Sequence, residues 1–123
     1  RDTAPPASLP AGLVPSIEAF VTSLLGVEPP RIELVAEAAG MNPRTLQRRL
    51  AEARVSYGAL VSQTRLRLAR ERLVASDEKI VDIALALGYA DAAHFTRAFK
   101  RWTGLAPVVY RTMHAAGGAK RAS

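Results

Sequence analysis

The chain has 123 residues, 49% of them hydrophobic and 6% aromatic, with 17 Lys and Arg against 11 Asp and Glu for a net charge of +6. That length holds one domain or two very small ones, and the hydrophobic share excludes a disordered chain. No stretch approaches the roughly 20 apolar residues of a membrane span, and zero cysteines exclude disulfides and thiolate sites, which points to the cytoplasm.

Residues 1–15, RDTAPPASLPAGLVP, hold four prolines among small residues and read as an interdomain linker leaving an upstream domain. Neither an initiator Met nor a secretory pattern opens the chain, as expected of a piece of a longer protein. Ser16 is placed to cap a first helix with Ile17, Phe20, Val21 and Leu24 on one stripe, closed by Gly26. Pro29 and Pro30 lead into a second helix bearing Ile32, Val35, Ala36 and Ala39, stopped by Gly40. Asn42 before Pro43 starts a third helix, to about Ala53, with Leu46 and Leu50 inward.

Ser56 caps a long fourth helix reaching about Ala75, with Tyr57, Leu60, Val61, Leu66, Ala69 and Leu73 inward. Its length at 1.5 Å per residue is roughly 28 Å. Asp77 and Glu78 favour the start of a fifth helix, whose stripe is Ile80, Ile83, Ala84 and Leu87 and whose end is Gly88. Asp91 caps a sixth helix with Phe95, Ala98, Phe99 and Trp102 on one face and Gly104 beyond it. Pro107 begins a short last helix containing Tyr110, and residues 112–123 read as a disordered tail. No strand pattern occurs. The chain reads as all-α.

The second and fifth helices match with a shift of 48: Ile32 with Ile80, Val35 with Ile83, Ala36 with Ala84, Gly40 with Gly88. Beyond the turn the shift becomes 49, pairing Leu46 with Phe95, Arg48 with Arg97 and Leu50 with Phe99. Each copy is helix, short glycine-containing turn, capped helix, the helix-turn-helix layout in which the second helix enters the DNA major groove. The expected domains are a first subdomain over 16–55, a connecting helix over 56–75 and a second subdomain over 76–111.

Charge is concentrated where that reading needs it. Residues 43–72 carry Arg44, Arg48, Arg49, Arg54, Arg65, Arg67, Arg70 and Arg72 against Glu52 and Glu71, a balance of +6, and residues 79–111 add +3. Every basic residue in the first band is Arg, whose planar fork suits phosphates and guanine edges. On the third helix Arg44, Gln47 and Arg48 fall opposite Leu46 and Leu50, and they are the candidates for base readout. Thr45, Arg49 and Arg54 are candidates for flanking phosphate contacts. On the sixth helix Ala93, Thr96 and Arg97 face outward for base contact, Ala93 offering only its methyl to thymine, with Lys100 and Arg101 for phosphates. The second unit should therefore read less sequence and anchor more.

Other residues read more plainly. Arg97 has an alternative as a structural ion-pair partner, and His94, placed near the helix start where it could touch a phosphate or a base, is read as a half-exposed histidine without a role. Tyr89, Phe95, Phe99 and Trp102 have the spacing of core residues rather than of a ligand box. No acid or nucleophile is spaced with His94 or His114, no phosphate-binding glycine loop occurs, and no residues have metal-ligand spacing. Catalysis, cofactor and metal are accordingly not expected.

The segment Ile80–Arg111, IVDIALALGYADAAHFTRAFKRWTGLAPVVYR, closely resembles the C-terminal signature of AraC/XylS-type bacterial transcription regulators. The matching positions are Ile83-Ala84, Gly88-Tyr89, Phe95, Arg97, Phe99, Lys100, Gly104, Pro107, Tyr110 and Arg111. The upstream MNPRTLQRRL and the Arg65, Leu66, Ala69 pattern are similar to the family's first unit and connecting helix. Departures are Arg72, where many members carry an apolar residue, and the Ala92-Ala93 pair. The resemblance implies a homeodomain-like fold of two helix-turn-helix units joined by a long helix, inserting into two successive major grooves of an operator. It further implies an N-terminal effector or dimerisation domain and contact with RNA polymerase in the full-length regulator; the residues themselves show no evident dimer interface, so the isolated domain is expected to be a monomer. The alternative from the residues alone is a helical protein-interaction domain that binds an acidic partner, with a structured-RNA binder more distant.

Overall fold

The computed structural model describes residues 12–122, with side chains to residue 114. Among them are seven helices and no strand: α1 (Leu13–Leu24), α2 (Ile32–Ala38), α3 (Pro43–Glu52), α4 (Tyr57–Ala75), α5 (Ile80–Ala86), α6 (Ala92–Thr103) and α7 (Pro107–Ala122). Two compact units divide between Thr64 and Arg65, inside α4.

In the first unit α1, α2, α3 and the start of α4 bury Ile17, Val21, Val35, Ala36, Leu46, Leu50 and Leu60, each at most 1% exposed. α1 begins at Leu13 rather than after Ser16, and the Ser16 hydroxyl donates back to the Gly12 carbonyl at 2.8 Å. Pro15 permits the earlier start, because it sits in the first turn, where a missing N–H breaks no helical bond. The Pro-rich stretch over 1–11 lies outside the described residues. Asn42 caps α3 as its sequence requires, accepting from Thr45 N at 2.8 Å, and Ser56 does the same for α4 through Ala59 N at 3.1 Å. Thr64, which the apolar pattern misses, is fully buried; its hydroxyl is satisfied within the helix by Leu60 O at 2.8 Å.

The second unit repeats the plan. Ile83, Ala84, Phe95 and Phe99 are fully buried, with Ala69 and Leu73 of α4 beside them in the core. An aromatic series runs through it, Tyr89 to Phe95 at 5.4 Å, Phe95 to Phe99 at 5.7 Å and Phe99 edge-on to Tyr110 at 5.3 Å between ring centres. Such pairs contribute about 0.5–1.5 kcal/mol each beyond area burial; Phe95 and Phe99 are core, as their spacing predicts, Tyr89 and Trp102 are only half-buried, and Tyr110 ties α7 to α6. α7 continues to Ala122, a correction to the disordered tail expected over 112–123. No proline interrupts this stretch, and its alanines are the strongest helix formers, while Gly117 and Gly118 oppose helix by about 1 kcal/mol each.

The internal repeat is visible bond for bond at the two turns. Gly40 N bonds Glu37 O at 3.0 Å and Met41 N bonds Ala36 O at 2.9 Å; Gly88 N bonds Leu85 O at 3.1 Å and Tyr89 N bonds Ala84 O at 2.9 Å. Both glycines are left-handed, at φ 74° and 91°, which a Cβ would penalise. The repeat holds inside and diverges outside: α2 exposes Glu33 and Glu37 where α5 exposes Val81 and Leu85.

Candidate nucleic-acid interface

In the first unit the Asn42 cap and Pro43 fix the start of α3, and burial of Leu46 and Leu50 fixes its rotation. Arg44, Gln47 and Arg48 consequently share the exposed face, one turn deep, with Arg49 exposed beside them and Thr45 half-buried near the cap. Gln47 and Arg54 both line a groove of about 660 Å³ with Ile32, Ala51, Val55 and Tyr57. Arg48 and Arg49 line another with Leu13, Glu52 and Ala53.

Arg54 stands out by its backbone. Its φ is 65°, the only positive value outside glycine among the described residues. Arg54 N bonds Ala51 O at 2.9 Å and Val55 N bonds Leu50 O at 3.0 Å, the same pair of bonds that Gly40 and Gly88 organise. An arginine therefore ends α3 where both interhelical turns use glycine.

In the second unit Asp91 accepts from His94 N at 2.8 Å and starts α6. Ala93, Arg97, Lys100 and Arg101 are exposed and Thr96 is half-buried. The same Asp91 oxygen lies 2.9 Å from His94 Nδ1. These bonds, the backbone one first, hold the Asp91 carboxyl below its ordinary pKa, with Arg97 adding a smaller electrostatic pull. His94, expected to be uninvolved, is therefore engaged through both its backbone and its ring. Arg97 makes no ion pair among the described residues.

The arginines of the basic band divide by what they touch. Arg65 Nε donates to Leu87 O at 3.0 Å, and its guanidinium lies 5.3 Å from the Tyr89 ring centre, so it closes the end of α5. Burial pushes the Tyr89 phenol up, against the lowering effect of Arg65 and Arg101. Arg111 Nε donates to Leu73 O at 3.0 Å. Arg67 pairs with Glu71 and Arg72 with Glu78, each at 3.4 Å; the second pairing accounts for an arginine at position 72. By contrast, Arg44, Arg48, Arg49, Arg54, Arg97, Lys100 and Arg101 carry no ion pair or hydrogen bond among the described side chains. These seven lie on or beside α3 and α6; Arg31, Arg70 and Lys79 also carry no ion pair or side-chain hydrogen bond among the described residues. The structural roles of Arg65 and Arg111 had a faint signal in the sequence, since both stand in the quoted family pattern.

A helix-turn-helix domain family matches residues 35–113. The transcriptional regulator VqsM of Pseudomonas aeruginosa is 35% identical over 100 residues, which cover 81% of this chain and 30% of that protein. The chain spans less than a third of the length of the curated relatives it matches. Among solved structures, an AraC-type DNA-binding regulator from Chromobacterium violaceum superposes with TM-score 0.67 at 24% identity, covering 80% of this chain and 92% of that one. The DNA-binding domain of AdpA, solved with a target DNA, superposes with TM-score 0.71 at 23% identity, covering 84% and 93%.

Proposed function

Since the chain belongs to the AraC/XylS family of helix-turn-helix regulators and is a DNA-binding transcription-regulator domain, we propose that α3 is its main reader of sequence. The observation that carries this is the exposed Arg44, Gln47 and Arg48 face, one turn deep and free of internal partners. Arg pairs bidentately with guanine O6 and N7, and Gln with adenine N6 and N7, each pair discriminating by about 1–3 kcal/mol. Thr45, Arg49 and Arg54 flank this face and take phosphates. On α6, Ala93, Thr96 and Arg97 meet the bases while Lys100 and Arg101 anchor the backbone. α6 offers fewer polar readers, so the second half-site is the less constrained one.

In the full-length regulator this domain acts beside an N-terminal effector or dimerisation domain and contacts RNA polymerase; alone it binds as a monomer. The family resemblance supports these roles. No catalytic step is assigned.

Selection on randomised duplexes at moderate salt tests the reading. The expected result is an enriched motif of two half-sites about one helical turn apart, with Arg48→Ala losing preference at one position of one half-site. No enrichment would favour an acidic protein partner. Equal weakening of Arg48→Ala on every sequence would move Arg48 to the phosphate class.

A further inference from the structure

We propose that His94 is a DNA contact of the second unit and binds as the imidazolium, so that complex formation takes up one proton; this rests on the DNA reading above. The first turn of α6 is Ala92, Ala93, His94 and Phe95. Phe95 is buried, and the two alanines offer methyl groups only. His94 is thus the polar side chain of that turn, and it is 59% exposed.

One of its ring nitrogens already has a partner. Nδ1 lies 2.9 Å from Asp91 Oδ1, and an ionised carboxylate can only accept, so Nδ1 carries the hydrogen. Nε2 is left for solvent or DNA. In the neutral ring Nε2 is an acceptor; in the imidazolium it is a donor. Phosphate oxygens and guanine O6 and N7 are acceptors, so the donor form is the one that pairs with them. With a carboxylate at Nδ1 and a polyanion at Nε2, the complex favours the imidazolium from both ends.

Arg97, Lys100 and Arg101 share α6 with His94 and oppose a further cation there until DNA phosphates neutralise them. Arg97, on α6 itself, is the other charged group acting on Asp91. On α5, Lys79 and Asp82 stand at its start, away from the turn that leads to α6. Arg65 of α4 is turned to Leu87 O and the Tyr89 ring. On α7, Arg111 is bonded to Leu73 O, and His114 stacks on Tyr110 at 3.9 Å.

Two histidines and no cysteine make the test clean, because few other groups titrate near neutrality. Anisotropy is measured with the selected duplex at constant ionic strength, near pH 6 and near pH 8. The expected result is tighter binding at the lower pH, by about tenfold or more and at most about a hundredfold over these two pH units, the limit that uptake of one proton sets. His94→Gln should bind with little pH response, and His114→Gln should respond like the parent. Asp91→Asn keeps a capping side chain but removes the charge at Nδ1, so its response should shrink.

Loss of the response on a duplex with 7-deazaguanine in the second half-site identifies guanine N7 as the acceptor. Loss on methylphosphonate substitution identifies a phosphate. A pH-flat parent, a response that survives His94→Gln, or a response insensitive to every such DNA substitution overturns the proposal. Absence of duplex binding at either pH would instead overturn the DNA reading itself.

Discussion

Arg54 shows how a single residue can oppose fold and function. A left-handed conformation costs a residue bearing Cβ about 1–2 kcal/mol, and Gly104 at φ 83° avoids that cost at the end of α6. The charge of Arg54 has no partner among the described side chains and borders the groove that Gln47 also lines. Arg54→Gly should therefore raise the denaturant midpoint, stabilising the fold by about 0.5–1 kcal/mol, while weakening DNA binding on all sequences alike. Higher stability with unchanged affinity would remove Arg54 from the phosphate contacts. Strain is informative here because it can be measured separately from binding.

At the scale of the element, α3 and α6 are capped by chemically different residues. Asn42 does not titrate; Asp91 does, and hydrogen bonds from His94 hold its carboxyl below the ordinary value. A folded-state pKa below the unfolded one gives stability that is present above the unfolded value, about pH 4 for Asp. That stability is lost as pH falls through the folded value. Acidification should therefore loosen the first turn of α6 before that of α3, seen as earlier loss of amide protection at His94 than at Thr45. Equal loss at both would mean the Asp91 cap contributes little to α6. Both caps were legible in the sequence, because capping needs only one side chain and the backbone three residues on. The start of α1 was not, since Ser16 and Pro15 permit more than one local solution and burial of Ile17 and Val21 does not select between them.

For the whole molecule, net charge is a poor guide to the charge that meets DNA. Of the basic band over 43–72, Arg65 serves a carbonyl, and Arg67 and Arg72 face carboxylates. Affinity for DNA should fall with salt in proportion to the phosphates neutralised, with log–log slope near −0.9 per contact. Lys100→Ala should flatten that slope by about 1. Arg67→Ala, on α4 and paired with Glu71, should leave it nearly unchanged. A slope insensitive to Lys100 but sensitive to Arg67 would place the DNA on a different face of the chain.

The sequence by itself determined the all-helical class, the internal repeat and the outward face of α3, because each rests on local rules of periodicity, capping and turn chemistry. It also placed Phe95 and Phe99 in a core and Arg44, Gln47 and Arg48 outside one. Only the tertiary structure decided which arginines remain free. Arg65 meets a carbonyl 22 residues away and Arg111 one 38 residues away, and a charge pattern along the chain does not encode partners at that separation. Nor does it show that Asp91 turns the His94 ring, since that depends on the side-chain geometry of a formed first turn. Local physics therefore sets which helices form and which way they face, and packing decides which of their charges remain unpaired.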